Sequence, residues 1–236
     1  MLKINNLTKK YGDKCAVDNL SLHIEKGEIY AFIGHNGAGK TTTLKACCGI
    51  HDFDEGEILI DGKSIKTEPL ACKQIISYIP DNPDLYDFLT GYQYIDFVAD
   101  IFKVSKEERI ERVKEYGQLF EITDALSQPI SEYSHGMKQK VALIASFVHN
   151  AKLIIMDEPF VGLDPVSSHN LKQLMKNHCE KGGSIFFSTH VLEVAEKLCD
   201  KVAIIKNGKL VTCGDMEKVK GDSSLEAVFL ELEEDK

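Results

Sequence analysis

Apolar and polar residues alternate along the first sixty residues in a way that predicts strands. Residues 20–24 alternate strictly, which is typical of a half-exposed antiparallel strand. Residues 28–33 are almost continuously apolar, as expected for a strand that is buried on both faces. Residues 2–7 alternate loosely, and residues 57–60 lead into a predicted hairpin turn at Asp61-Gly62. We therefore predict an N-terminal segment of strands joined by turns.

The middle of the chain, residues 85–150, has a helical pattern instead. Thr90 is a predicted N-cap. The apolar residues of the helix that follows it fall on one predicted face: Tyr94, Phe97, Val98 and Ile101. Ser105 and Glu108 predict a capping box at the start of the next helix. No buried strand is evident in this segment, so we predict an α-helical lobe inserted into an α/β domain.

Buried strand patterns return at residues 153–156 and 184–188, and each is followed by polar residues and a predicted helix. Strands that alternate with helices imply a parallel sheet. We therefore predict one α/β domain with a mostly parallel core sheet and an N-terminal antiparallel β subdomain. Its predicted parts are a core of residues 1–84 and 151–220, a helical lobe of residues 85–150, and a C-terminal amphipathic helix with an acidic tail at residues 221–236.

Composition narrows the class of protein. The 236 residues are 43% hydrophobic, which is enough for a substantial core, and the formal charge of -9 argues against a protein whose main partner is nucleic acid. No run of eighteen apolar residues exists, and the N-terminus lacks an apolar secretion core, so we expect a cytoplasmic protein. The seven cysteines have no C-x-x-C spacing and are expected to be reduced, and the histidines show no zinc-site spacing.

A glycine-rich loop with the pattern G-x-x-x-x-G-K-[ST] follows the first buried strand. Its residues are Gly34-His35-Asn36-Gly37-Ala38-Gly39-Lys40-Thr41, with Thr42 next. The glycines let the backbone curl so that successive N–H groups point at phosphate oxygens, and the following helix adds its positive N-terminal end. Lys40 can reach the β- and γ-phosphates, and the Thr41 hydroxyl can ligate Mg²⁺. The loop therefore predicts a site for Mg²⁺ and ATP.

Further polar residues follow the other predicted buried strands. Asp157 and Glu158 come directly after residues 153–156. In a P-loop enzyme a carboxylate at such a strand end holds the Mg²⁺ shell, and the next one can polarise the attacking water. The alternative is an ordinary acidic loop that caps the next turn. His190 ends another predicted strand, where a lone histidine is most often structural, but site residues gather at strand C-terminal ends, so His190 is a candidate γ-phosphate contact.

These motifs, in this order, resemble the ATP-binding-cassette (ABC) family over about residues 2–216. Tyr11, before the first sheet, sits where that family stacks an aromatic ring on adenine. Residues 34–42 resemble the family's P-loop, and residues 153–158 its Walker B strand. The resemblance implies an ATPase with Asp157 at the metal and Glu158 as the catalytic base.

The resemblance also implies a dimer. Residues 133–139 are similar to the family signature, in which Ser134 and the Gly136 backbone bind the γ-phosphate that the other subunit holds. His135 and Met137 stand where the commonest signature has Gly and Gln. The resemblance further places Asp164 in the D-loop and makes His190 the switch histidine. Two subunits are then expected to sandwich two Mg-ATP molecules head to tail.

One position departs from the family. After residues 77–80 the family has its Q-loop glutamine, and this chain has Asp81. An aspartate still offers an oxygen to Mg²⁺ or water, with a shorter arm and a full charge, so Asp81 joins Thr41 and Asp157 as a predicted metal contact. The alternative is a surface carboxylate at a turn.

The resemblance implies a separate transmembrane permease as partner and a place on the inner face of the cell membrane. Residues 27–49, 80–90 and 225–232 are similar to ATPases of bacterial exporters of drugs, antibiotics or peptides. Four large apolar residues follow Asp81: Leu85, Tyr86, Phe88 and Leu89. They are either core of the helical lobe or a surface that accepts a short helix of the permease.

Two other functions have to be weighed. A soluble ABC ATPase that acts on nucleic acid or the ribosome usually has two cassettes, a coiled coil or basic extensions, and this chain has none of them. A regulatory module that has lost hydrolysis is disfavoured because Glu158 and His190 are present. The sequence therefore favours the transporter ATPase.

Overall fold

The computed structural model describes residues 1–234, with side chains through residue 232, so residues 235–236 of the predicted acidic tail lie outside it. The strands of the described chain are β1 (Leu2–Tyr11), β2 (Lys14–Ile24), β3 (Ile29–Ile33), β4 (Glu55–Ile60), β5 (Lys63–Ser64), β6 (Ile76–Ile79), β7 (Leu153–Asp157), β8 (Ser184–Thr189), β9 (Lys201–Lys206) and β10 (Lys209–Asp215). Its α-helices are α1 (Lys40–Cys47), α2 (Pro69–Lys73), α3 (Gly91–Ile101), α4 (Lys106–Leu119), α5 (His135–Val148), α6 (Pro165–Glu180), α7 (Leu192–Leu198), α8 (Met216–Lys220) and α9 (Leu225–Glu234).

The strands form two sheets. A six-stranded sheet has the order β10-β9-β3-β8-β7-β6, and a four-stranded sheet has the order β2-β1-β4-β5. The larger sheet is parallel from β9 to β6, with β10 antiparallel at its edge, and the smaller sheet is antiparallel throughout. The predicted α/β fold with a mostly parallel core sheet and an antiparallel β sheet is therefore confirmed.

The central strands are apolar throughout because both faces of the sheet are covered. Every residue of β3, β7 and β8 is buried. Successive side chains of a strand point to opposite faces, so Ala31 and Ile33 enter one hydrophobic cluster and Tyr30 and Phe32 enter the other. Phe186 of β8 joins the second cluster, with its ring centroid 5.5 Å from that of Phe32. The sheet is thus held between two cores.

The segment between β6 and β7 is helical, as its pattern predicts. It contains α3, α4, two 3₁₀ turns (Thr123–Ser127 and Ile130–Glu132) and α5. Thr90 caps α3 as predicted, with its hydroxyl accepting from the Gln93 amide at 3.2 Å while the Gln93 side chain accepts from the Thr90 amide at 2.9 Å. Ser105 accepts from the amide of Glu108 at 3.3 Å and so caps α4. The boundaries of this lobe as a domain, 85 and 150, stay a prediction.

The predicted apolar face of α3 is partly wrong. Tyr94 and Val98 are half-buried as expected, but Phe97 and Ile101 are exposed. The fully buried positions are Gly91, Ile95 and Ala99 instead. Gly91 lies close to the segment that contains Tyr133. A Cβ on Gly91 would be only 2.6 Å from the hydroxyl oxygen of Tyr133, so no larger residue fits at this position. Phe97 and Ile101 are left on the exposed side of the helix.

The parallel register brings three loops to one edge of the sheet. Ile33 of β3 is paired with Thr189 of β8, and Ser188 of β8 is paired with Asp157 of β7. The carboxyl ends of adjacent parallel strands face the same edge, where α/β proteins build their sites. The glycine-rich loop, Asp157 and His190 are therefore neighbours although they are far apart in sequence.

Candidate active site

A pocket of about 490 Å³ opens at this edge of the sheet. Eleven of the predicted site residues line it: Tyr11, His35, Asn36, Gly37, Gly39, Lys40, Thr41, Thr42, Asp81, Asp157 and Glu158. Gly34 and Ala38 lie within the same loop, and His190 contacts Glu158 at the edge of the pocket. The three remaining predicted residues, Ser134, Gly136 and Asp164, do not line this pocket. Most of the predicted site is therefore assembled within one chain.

The glycines of the loop are required by close approaches as well as by backbone angle. A Cβ on Gly34 would lie 2.4 Å from the carbonyl oxygen of Ile205, and one on Gly39 would lie 2.5 Å from that of Ala16. Gly39 also has φ +112° and is the N-cap of α1, a conformation that glycine adopts without steric cost. The loop is thereby fixed between β2 and β9, and the N-terminus of α1 is directed at the pocket.

Lys40 is a buried cation, only 6% exposed. Its Nζ donates to the carbonyl oxygens of Gly34 at 2.6 Å and His35 at 3.3 Å, and it lies 3.9 Å from a carboxylate oxygen of Glu158. Burial lowers the pKa of Lys40, while the nearby carboxylates of Glu158 and Asp157 act in the opposite direction. The loop therefore holds an ammonium group at the position where phosphates would meet it.

The Asp157 carboxylate is 1% exposed and is satisfied by two hydroxyl groups. Thr41 Oγ1 donates to it at 2.6 Å, and Ser188 Oγ donates to its other oxygen. A buried carboxylate requires such partners. One hydroxyl and one carboxylate are hard oxygen donors, which fit Mg²⁺ when phosphate oxygens and water complete its shell. The side chains described, those of residues 1–232, include no group of three or more His, Cys, Asp or Glu that could hold a metal by themselves.

Glu158 has a backbone conformation that is unusual for a residue with a side chain, with φ +49°. Its amide lies 3.2 Å from the Ser188 carbonyl oxygen and 3.1 Å from Ser188 Oγ. One carboxylate oxygen is 2.9 Å from Nδ1 of His190 and also accepts from the His190 amide at 3.3 Å. Strained backbone of this kind is found at functional sites. Here it directs the carboxylate toward Lys40 and His190 at the mouth of the pocket.

Three predicted residues lie together elsewhere. Ser134 caps α5, and Asp164 caps α6 by accepting from the amide of Ser167 at 2.8 Å. An ion pair of 2.8 Å joins Asp164 to Lys140, whose hydrogen bond keeps the pKa of the Asp164 carboxyl well below its usual value. The start of α5 also touches the turn before α6, since a Cβ on Gly136 would lie 2.6 Å from the Gly162 carbonyl oxygen.

Comparison with known proteins identifies the family. The ABC transporter family profile matches residues 17–161. The chain belongs to the ABC transporter family. The linearmycin resistance ATP-binding protein LnrL of Bacillus subtilis is 33% identical over 214 residues, which are 91% of this chain and 69% of LnrL.

Solved structures agree with this assignment. The structure of an ATP-binding subunit of an ABC transporter matches with a TM-score of 0.95 at 32% identity, over 99% of this chain and 100% of that one. A dimeric post-hydrolysis state of an ATP-binding cassette, bound to ADP and Pi, matches with a TM-score of 0.83 at 25% identity, over 92% and 99% of the two chains. This ABC subunit therefore binds ATP and is an ATPase.

The position predicted for one residue of the nucleotide pocket of this ABC subunit is wrong, and the structure shows further residues at the site. Tyr11 does not precede the first sheet but ends its strand β1, where it is paired with Lys14. Lys14 and Ala16 line the pocket and were missed, although a lysine three residues after the predicted stacking tyrosine is a readable signal. Ser188 was missed because its pattern shows only a buried strand, and its role depends on the neighbouring strand β7.

The C-terminal helix α9 of this ABC subunit contacts the glycine-rich loop. The ring of Phe229 packs against His35 with centroids 5.1 Å apart, and Lys206 Nζ donates to the Leu232 carbonyl oxygen at 2.9 Å. The helix α9 was predicted, but its amphipathic pattern carries no information on which part of the core it covers. The helix α9 therefore contacts the glycine-rich loop through Phe229.

We expect Ser188→Ala to lower the kcat/KM of the ATPase by about 10- to 100-fold, as observed when a residue that orients a metal ligand is removed. The change deletes one of the two donors to Asp157 and leaves that carboxylate free to rotate. The matched control is Ser184→Ala in the same strand, because Ser184 is equally buried but bonds to Gly27 and Glu25 at the opposite end. Its kcat/KM should stay within about twofold of wild type. Equal losses in the two variants, with both folded, would contradict the role of Ser188.

Proposed function

We propose that this ABC subunit is the motor of a transporter, and that two copies sandwich two Mg-ATP molecules head to tail and hydrolyse them. The observation that supports it is the division of the predicted site into two parts within one chain. The pocket around Lys40 holds the groups for binding and hydrolysis, while Ser134 and Gly136 lie outside it. A second copy in inverted orientation would bring its own Ser134 and Gly136 to this pocket. The matching cassette with bound ADP and Pi is dimeric in its solved structure.

In this proposal the nucleotide lies along the pocket from Tyr11 to Glu158. The exposed ring of Tyr11 stacks on adenine. The amides of the glycine-rich loop and the N-terminus of α1 bind the phosphates, and Lys40 leaves the carbonyl oxygen of Gly34 to reach the β- and γ-phosphates. Thr41 and Asp157 hold Mg²⁺, which neutralises charge on the phosphate oxygens when bound. Asp81 lines the pocket as an exposed carboxylate that can reach the metal through water.

Hydrolysis is proposed to depend on Glu158 and His190. The Glu158 carboxylate is fixed by His190 on one side and lies near Lys40 on the other, so it is positioned to accept a hydrogen bond from the attacking water. The imidazole of His190 is mostly exposed, so its second nitrogen is free to approach the γ-phosphate. Ser134 and the Gly136 amide of the second copy would stabilise charge on the same phosphate. Asp164 would act at the dimer contact next to them.

A second surface is proposed to bind the transmembrane permease. Of the four apolar residues after Asp81, Leu85 is buried in the core, Leu89 is half-buried, and Tyr86 and Phe88 are 49% and 81% exposed. The Tyr86 ring contacts those of Phe88 and Phe97 at 5.8 and 5.7 Å between centroids. Such exposed apolar clusters mark partner surfaces. We call this cluster of Tyr86, Phe88 and Phe97 the aromatic patch.

The chain segment at Asp81 connects the two surfaces. Asp81 lines the ATP pocket, and the neighbouring Pro80, Pro83 and Leu85 line a groove of about 290 Å³ on the other side. The two prolines restrict the backbone of this segment. A displacement of Asp81 on ATP binding would therefore move the wall of the groove. We propose that a short helix of the permease lies in this groove, next to the aromatic patch, and follows that motion.

We propose a peripheral location on the cytoplasmic face of the membrane and transport out of the cell. No helix among the described residues is long and apolar enough to cross a bilayer. Two observations support transport out of the cell: the motifs are similar to those of exporter ATPases, and the relative LnrL is named for linearmycin resistance.

The hydrolysis proposal is tested with Glu158→Gln. The amide keeps the shape of the side chain but cannot take a proton, so ATP should bind with wild-type affinity while kcat falls by about a hundredfold or more. With Mg-ATP the variant should elute as a dimer in size-exclusion chromatography, because hydrolysis no longer opens the sandwich. The control is Glu193→Gln, an exposed glutamate paired with Lys197, which should hydrolyse ATP at the wild-type rate. A Glu158→Gln variant that also hydrolyses ATP at that rate would exclude Glu158 as the base.

The docking proposal is tested with Phe88→Glu and its control Leu70→Glu. Both residues are large, apolar and similarly exposed, at 81% and 77%, but Leu70 lies in α2 and is not part of the aromatic patch. A charge on the aromatic patch should abolish co-sedimentation with membrane vesicles from the cells that make this protein, and leave ATP affinity unchanged. Leu70→Glu should sediment with the vesicles as wild type does. Normal sedimentation of folded Phe88→Glu would place the contact elsewhere.

A further inference from the structure

Lys14 is a second cation in the ATP pocket, outside the motifs that define the family. It begins β2 and lies on the lining of the pocket together with Tyr11, its partner across the β1–β2 hairpin. Its side chain is exposed, and none of the ion pairs among the described side chains of residues 1–232 involves it. Lys14 is therefore an ammonium group on a flexible stem that water solvates until an anion enters the pocket.

The course of β2 fixes where Lys14 lies along the pocket. The Ala16 carbonyl oxygen is at the P-loop, because it would be only 2.5 Å from a Cβ on Gly39. The β1–β2 pairing is irregular at Ala16, because Lys9 is paired with Val17 and Lys10 with Cys15, but Lys14 and Ala16 both line the pocket. Two residues of a strand span roughly 6–7 Å. Lys14 thus lies about that far from the loop, toward the hairpin that carries Tyr11. The ribose and the first phosphate bridge a similar distance between a base on Tyr11 and phosphates on the loop.

Lys40 cannot take this role as well. Its Nζ is buried among the carbonyl oxygens of Gly34 and His35 at the other end of the pocket. The remaining charged groups on the lining, Asp81, Asp157 and Glu158, are carboxylates that repel phosphate. Among the described residues that line the pocket, the lysines are Lys14 and Lys40. A phosphate chain in this pocket therefore meets one cation at each end.

We propose that Lys14 binds the α-phosphate of the nucleotide, between the stacked base and the P-loop. The inference rests on the proposed nucleotide pose and adds a contact to it. ATP and ADP have the same α-phosphate, so Lys14 stabilises substrate and product to the same degree. It therefore adds affinity without distinguishing the two, whereas Lys40 and the metal site act on the phosphates that react.

The experiment measures the affinity of Lys14→Met for ATP and ADP by isothermal titration calorimetry. Both dissociation constants should rise by the same factor, about fivefold, which is the size of an exposed ion pair. Lys14→Arg should stay within about twofold of wild type because it keeps the charge. The fivefold difference should shrink in 0.5 M NaCl, since salt screens exposed charges. Lys10→Met is the matched control: Lys10 lies in the same hairpin, is exposed and does not line the pocket.

The outcomes separate this inference from the proposed function. Unchanged affinity of folded Lys14→Met for both nucleotides, beside loss of binding in Lys40→Met, would overturn the Lys14 contact alone. A loss confined to ATP would place Lys14 at the γ-phosphate and overturn the α-phosphate assignment. An equal loss of affinity in Lys10→Met would show that any surface charge of the hairpin has the same effect, and it would also overturn the Lys14 contact. If the wild-type chain binds neither nucleotide, the proposed function fails together with the inference.

Discussion

The buried carboxylate of Asp157 is the constraint on which the site depends. A carboxylate removed from water must be hydrogen-bonded or paired with a cation, and here hydroxyl groups of Thr41 and Ser188 meet that requirement. These bonds connect the P-loop helix, β7 and β8 at a single point. Ser188 also accepts from the amide of Glu158, so the same hydroxyl helps to fix the backbone of the residue that we propose as the catalytic base. The order of the parallel strands makes this connection possible because β7 and β8 are neighbours in register.

The division of the site has a mechanical consequence. The groups proposed to bind ATP and polarise water lie at one edge of the core sheet, while Ser134 and Gly136 lie at the start of α5 in the helical segment. Closing two copies around ATP would join these parts. The segment of Asp81, Pro80 and Pro83 extends from the ATP pocket to the groove beside the aromatic patch. On the proposed function, ATP in the pocket would therefore change the shape of the groove through this short, stiff segment.

Local sequence patterns predicted much of the fold and of the candidate site. The features that they did not predict depend on tertiary contacts. The buried strands, the Thr90 cap and the glycine-rich loop follow from spacing and residue type, so sequence was sufficient for them. The predicted face of α3 was partly wrong because its buried positions are Gly91, Ile95 and Ala99, and the space that each position has depends on tertiary contacts such as that between Gly91 and Tyr133. Ser188 was missed because its partners, Asp157 and the Glu158 amide, come from the neighbouring strand β7 and the residue after it. Lys14 was missed although its spacing from Tyr11 is readable in the sequence. The roles predicted for Ser134, Gly136 and Asp164 concern a second copy, which one chain does not contain.

The most direct test is a crystal structure with Mg²⁺ and a non-hydrolysable ATP analogue. The account predicts Mg²⁺ bound by Thr41 Oγ1 at about 2.1 Å, with Asp157 in or next to its coordination shell. Lys40 Nζ should have left the Gly34 carbonyl oxygen for the β- and γ-phosphates. Glu158 should face the γ-phosphate across a water molecule. A metal bound away from both Thr41 and Asp157, with Lys40 still on the Gly34 carbonyl oxygen, would contradict it.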